Sequence, residues 1–149
     1  MTLGEKLREN LYQAIKQQDK IRISTLRLLL SEIKNAEIAQ GKPIDDNKVI
    51  DILSKEARQR RESIDAFKQG NRSDLVAQEE SELAIILEYL PKQMSREEII
   101  AAARQAIDIV GAKGEKDKGR VMSQVMPQLK GKAGGKEVGE IVSELLAQA

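Results

Sequence analysis

The chain has 149 residues, 25 basic and 24 acidic, for a net charge of +1, and it contains neither Cys nor His. Those two absences exclude thiol nucleophiles, disulfides, imidazole acid–base chemistry and the common zinc ligands. Hydrophobic residues at 40% and charged ones at 33% are the balance of a folded globular protein, while aromatics at 2% (Tyr12, Phe67 and Tyr89) are too few for base stacking on the usual scale.

Helix formers dominate from end to end, and no segment alternates with period two, so the expected class is all-α. A first helix is predicted over 3–18, with Leu3, Leu7, Leu11, Ala14 and Ile15 on one face. A second follows Asp19 over 20–40. It sets Ile23, Leu26, Leu30 and Ile33 at three-and-four spacing, and Leu28 and Leu29 widen the apolar face into that of a central, buried helix. After Gly41-Lys42-Pro43, Asp45 or Asp46 caps a third helix reaching to about 69, with Val49, Ile52, Leu53, Ala57, Ile64 and Phe67 inward. Gly70-Asn71 ends it, and Ser73 or Asp74 caps a fourth carrying Leu75, Val76, Leu83, Ile86, Leu87 and Leu90. Pro91 stops that helix and marks a domain boundary, leaving an N-terminal four-helix domain over 1–90.

Beyond Pro91 the helices shorten into a three-helix domain over 91–149. Ser95-Arg96-Glu97-Glu98 is a capping box, and the helix behind it buries Ile99, Ile100, Ala103, Ile107 and Val110. Asp117 caps the next, with Val121, Met122, Val125, Met126 and Leu129 inward and Pro127 kinking or ending it. Gly131, Gly134 and Gly135 form a turn, and a last helix from about 136 carries Val138, Ile141, Val142, Leu145 and Leu146.

Charge is unevenly spread. Residues 111–136 hold seven basic side chains against two acidic ones, a net of +5, although the whole chain nets +1. Lys116, Lys118, Arg120, Lys130, Lys132 and Lys136 are therefore the candidate phosphate contacts, with Gly131 and its neighbouring glycines allowing close backbone approach. The competing reading makes the glycines turn residues and the lysines a solvated face. Lys55, Arg58 and Arg61 share a helical face and form a secondary basic candidate, against the alternative that Asp51–Lys55, Glu56–Arg60, Arg58–Glu62 and Arg61–Asp65 are intrahelical ion pairs. Lys20, Arg27 and Lys34 recur every seven residues as a further basic stripe. No phosphate-loop spacing follows a strand, no nucleophile–base pair or metal site can be named, and no cofactor is expected.

The segments YLPKQMSREEI (residues 89–99), GRVMSQVMPQLKGKAGGK and the closing EIVSELL, together with STLRLLLSEIKNAEI, KEARQRRESIDAF and NRSDLVAQEESELAIILEYLP, carry a family resemblance over essentially the whole chain. The chain resembles the YqeY family of small GatB/YqeY domain-containing proteins. Its C-terminal part resembles the tail domain of the B subunit of the tRNA-dependent amidotransferase, a helical module that contacts tRNA. The resemblance implies a non-catalytic RNA-binding accessory protein, with tRNA first among the RNAs and a translation or amidotransferase complex as its setting. It also implies a family label of carbon–nitrogen ligase activity with glutamine as amido-N-donor, inherited from the amidotransferase. Where the family pattern commonly has Asp after Gly-Lys-Ala, this chain has Gly134. The alternative is a helical protein–protein adaptor without RNA binding. The opening MTLGEKLREN lacks the apolar core of a signal peptide and no run approaches a membrane span, so the expected location is cytoplasmic, with no membrane partner.

Overall fold

The computed structural model describes residues 1–148. Among them it contains seven α-helices, one short 3₁₀ turn and no strand, arranged as two compact units, Met1–Leu90 and Pro91–Ala149.

The first unit holds α1 (Leu3–Gln17), α2 (Lys20–Gln40), α3 (Asp46–Gln69) and α4 (Ser73–Leu87). A capping box opens α1: Glu5 N–H donates to Thr2 Oγ1 and Thr2 N–H to the Glu5 carboxylate, each at 3.1 Å. Gln18 then turns left-handed, and Asp19 caps α2 by accepting from Arg22 N–H at 3.2 Å. So short a joint makes α1 and α2 neighbours, while α3 lies along α4 and α2 also touches both. Their shared core is Leu7, Ala14, Leu26, Leu29, Ile33, Val49, Leu53, Ala57, Ile85, Ile86 and Tyr89. Each large aliphatic side chain buried there contributes about 1.5–3 kcal/mol. Polar ties close the unit where α4 ends. Asn10 Nδ2 donates to Tyr89 Oη at 2.7 Å, and both terminal nitrogens of Arg22 donate to Glu88 at 3.3 and 2.9 Å.

The second unit holds α5 (Arg96–Val110), the 3₁₀ turn Glu115–Asp117, α6 (Lys118–Leu129) and α7 (Gly135–Ala147). Its core is Ile99, Ala103, Ala106, Val121, Val125, Leu129, Val138, Ile141, Val142 and Leu146. Every helix touches the other two. The Ser95–Glu98 capping box forms as its spacing requires. On α7, Gly135 faces the tip of Met126 and Gly139 faces Met122 and Lys118, so this glycine edge meets α6 closely.

Several local expectations need correction. α4 ends at Leu87, because Glu88, Tyr89 and Leu90 bond three residues back in a tighter turn. Its N-cap position is Arg72, with no side-chain cap; the guanidinium of Arg72 holds Asp74 instead, at 3.3 and 3.2 Å. Asp117 stands at the start of α6 without capping it, since its carboxylate accepts from Lys113 N–H and Arg120. Pro127 sits in the last turn of α6, which ends two residues later. Ile15 and Leu28, assigned to inward faces, are 43% and 38% exposed. Leu29, with Leu26, takes the buried side of α2 and Leu28 is turned outward, as a 100° step between adjacent helical residues demands.

Candidate nucleic-acid interface

The basic C-terminal stretch is split among three local structures, and the split gives its residues different duties. Arg120, in the first turn of α6, reaches back to the end of α5. Its Nη2 donates to the Val110 carbonyl at 2.6 Å and its Nη1 to Asp117 at 3.3 Å. It therefore satisfies a helix-terminal carbonyl that would otherwise lack a partner. Asp117 is tied on both sides: the Lys113 N–H, with the charge of Arg120 beside it, holds its carboxyl below the ordinary range. Lys118 is half-buried and lies across Gly139, its Cε and Nζ each 3.9 Å from where a β-carbon would stand. Lys116 is exposed on the 3₁₀ turn, whose Glu115 accepts from Ser143 Oγ of α7 at 3.0 Å.

The turn before α7 is a clamped structure. Gly131 has φ +76°, the left-handed conformation that disfavours other residues by roughly 1–2 kcal/mol, and it is buried. Gln93 Nε2 donates to its carbonyl at 2.7 Å, and Met94 N–H donates to the Lys132 carbonyl at 2.9 Å. Lys130, Lys132 and Lys136 are all exposed around this turn. Gly134 is the N-cap of α7 in an extended conformation, with no side chain to accept from the first-turn N–H groups. Those N–H groups carry the partial positive charge of the helix end, and Lys136 adds a full one beside them. On α7, Lys136, Gly139 and Ser143 share one face at three-and-four spacing, which puts Lys118 one turn along from Lys136.

Of the seven predicted contacts, then, Lys116, Lys130, Lys132 and Lys136 have exposed side chains, Arg120 is exposed but held by Val110 and Asp117, Lys118 is half-buried and Gly131 is buried. In the first unit, Lys55 and Arg58 are exposed and Arg61 is half-buried, all on α3. Of the intrahelical pairs that would have neutralised this face, Glu56–Arg60 forms at 2.6 Å, whereas Arg58–Glu62 and Arg61–Asp65 do not.

Sequence reasoning missed a second polar site, between α3 and α4. Arg60, with a side chain only 11% exposed, pairs with Glu56 and lies 3.5 Å from Glu82 and 3.8 Å from Glu79. Gln59, Arg60, Glu62, Ser63, Ala66, Glu79 and Glu82 line an open groove of about 630 Å³. Burial, reinforced by neighbouring Glu82, pushes the Glu79 carboxyl above its ordinary value of 4.5 despite Arg60. One arginine among three carboxylates reads as a buried charge network: no hydroxyl or amine is hydrogen-bonded to a base there among the described residues. The only sequence signal for it was the four-residue spacing of Glu56 and Arg60, because Glu79 and Glu82 come from another helix.

Comparison with known proteins gives these features a family. The curated relatives include "Altered inheritance of mitochondria protein 41, mitochondrial" from Lachancea thermotolerans, 49% identical over 85 residues, 56% of this chain and 46% of that protein. The protein of that name from Eremothecium gossypii is 41% identical over 100 residues, 65% of this chain and 55% of the relative. A Saccharomyces cerevisiae counterpart is 40% identical over 85 residues, 56% of this chain and 46% of its own length. The chain thus spans about half the length of the curated relatives it matches. These relatives overturn the cytoplasmic expectation, since all three are named as mitochondrial proteins. Compartment is set by signals outside the packing of a helical domain, so neither its composition nor its core could have carried it. No helix among the described residues is long and apolar enough to cross a membrane. The profile of the YqeY family, described as "Yqey-like protein", matches residues 4–146, and the chain belongs to that family.

Proposed function

We propose that this protein binds RNA, tRNA first, through phosphate contacts made by the second unit, and acts as a non-catalytic accessory in tRNA-dependent amidation or a related translation step. The observation that carries this reading is the trio Lys130, Lys132 and Lys136, exposed around an α7 start with no side-chain cap, with Lys116 exposed on the neighbouring 3₁₀ turn. Unbonded first-turn N–H groups beside lysines suit a phosphate oxygen, and the glycines at 134 and 135 leave the backbone open to it. With only three aromatic residues, all in the first unit, the contacts would read backbone and shape rather than unstacked bases. Lys55, Arg58 and Arg61 supply a second basic face in which Arg58 and Arg61 lack carboxylate partners among the described residues. The names of the relatives suggest a mitochondrial setting for this chain as well.

Filter binding of tRNA at two salt concentrations tests the proposal. Binding at low salt should weaken steeply as salt rises, and Lys130→Glu/Lys132→Glu/Lys136→Glu should flatten the log–log salt slope by about one per lysine. No binding at low salt, or an unchanged slope in the triple variant, refutes it. A helical adaptor without RNA binding is then the reading to pursue.

A further inference from the structure

The exposed positions of α2 fall into a heptad. From Lys20 to Ile38 they are Lys20, Ile21, Ser24, Arg27, Leu28, Ser31, Lys34, Asn35 and Ile38, and every other residue in that span is buried or half-buried. With Ile21 as position a, the a row is Ile21, Leu28 and Asn35, the d row is Ser24, Ser31 and Ile38, and the g row is Lys20, Arg27 and Lys34. The b, c, e and f positions face the bundle, with Leu26, Leu29 and Ile33 in its core. Ile21, Leu28 and Ile38 are 43%, 38% and 69% exposed, and Lys20, Arg27 and Lys34 make no ion pair among the described residues.

We propose that this face of α2 is one half of a coiled-coil seam, and that its occupant is a helix of another protein with an apolar a/d row flanked by carboxylates. The chemistry selects that occupant. Along the seam Ile21 and Leu28 alternate with Ser24 and Ser31 before Asn35 and Ile38 close it, so knobs from a partner helix have small-sided holes to enter. A uniformly basic g row is matched by Asp or Glu in the facing row, and no acidic side chain lies on this stripe to oppose it. An RNA would use the lysines and leave Ile21, Leu28 and Ile38 against water. A lipid surface would have to accept Ser24, Ser31 and Asn35 along the centre of the inserted face. A second copy offers no match: α4 exposes carboxylates but no large apolar side chain, and the remaining large exposed apolar residues are Met1, Tyr12, Ile15 and Ile109. Eighteen residues of seam span about 27 Å, so the partner helix needs about five turns. This seam is on the first unit and is independent of the lysines of the second.

The test titrates the full chain into two labelled three-heptad peptides, both with Leu at a and d, one with Glu and one with Lys at e and g, and follows anisotropy. The Glu peptide should bind and the Lys peptide should not. Leu28→Ser should weaken the Glu peptide on the order of tenfold. Lys20→Glu/Arg27→Glu/Lys34→Glu should exchange the preference between the peptides, with unaltered far-UV circular dichroism showing that the fold persists, whereas the charge-neutral Leu28→Ser should leave tRNA affinity unchanged. The proposal is overturned if neither peptide binds, if both bind equally, or if the triple variant keeps the original preference. It is also overturned if Leu28→Ser lowers tRNA affinity, or abolishes pelleting with phosphatidylserine vesicles or self-association in sedimentation.

Discussion

Replacing Arg60 with Met removes the one cation from a site that also holds Glu56, Glu79 and Glu82. Glu56 is 6% exposed and its partner stands at 2.6 Å, so the variant strands a buried carboxylate beside two others that are a fifth exposed or less. Breaking a buried pair from one side costs about 3–5 kcal/mol; residual solvent at Glu79 and Glu82 favours the lower end, about 3 kcal/mol. For a unit of this size that is a fall of roughly 12–24 °C in Tm. Replacing both partners, Glu56→Leu/Arg60→Met, leaves no stranded charge in that pair and should recover most of the loss, so the two substitutions are strongly non-additive. The assay is urea denaturation at pH 7, followed by tyrosine absorbance. Tyr12 and Tyr89 both belong to the first unit, so this signal reports that unit alone while far-UV circular dichroism sees both. Acid that neutralises the stranded carboxylates should narrow the gap between variant and parent. A loss under about 1 kcal/mol, or a double variant as unstable as the sum of the singles, refutes the network as described.

Other expectations come from single positions. The carboxyl of Glu79 is raised above 4.5 by burial and by Glu82, so the folded state keeps its proton to higher pH than the unfolded chain does, and stability falls as pH climbs through the raised value. Glu79→Gln should therefore raise Tm at pH 7 and match the parent below 4.5; thermal melts at both ends check the sign. Gly139 is interior to α7 and an added methyl would meet Lys118 and Met122 at 3.9 Å, ordinary contact, so Gly139→Ala should stabilise by about 0.5–1 kcal/mol in calorimetry. Gly134→Asp supplies the missing cap of α7 and should stabilise the second unit by a few tenths to about 1 kcal/mol. The same substitution places a negative charge where phosphate is proposed to sit, so tRNA affinity should fall while Tm rises.

The helices were legible because their signals are local. Asp19, Asp45 and Ser95 cap where their side chains suit an N-cap, and the Ile23, Leu26, Leu30 and Ile33 face of α2, whose spacing is three and four, packs on the core with Leu26 and Ile33 buried. Position 28 was misjudged because an apolar side chain says nothing about which neighbour, if any, covers it. Asp74 and Asp117 failed as caps for a related reason: each had a stronger partner nearby, Arg72 in one case and Lys113 N–H with Arg120 in the other. The basic stretch was visible as charge, but the structural duties of Lys118 and Arg120 within it were not. That Arg120 holds Val110 and Lys118 lies across Gly139 depends on how α5, α6 and α7 meet. The Arg60 network was hidden for the same reason, since half of it arrives from α4.

The bond from Gln93 to Gly131 joins residues 38 apart in sequence, and Met94 to Lys132 repeats the span. Closing a loop of that length costs about 3 kcal/mol of chain entropy, which the early helices do not have to meet. Gln93→Ala is expected to leave the refolding limb of a chevron in place and raise the unfolding limb, the signature of a contact made after the folding barrier; a slowed refolding limb would instead place it in the nucleus. The glycine turn that presents Lys130, Lys132 and Lys136 is thus latched by two bonds to the segment that precedes α5. On that outcome, how long the turn persists is a matter of the unfolding rate rather than of how quickly the unit folds.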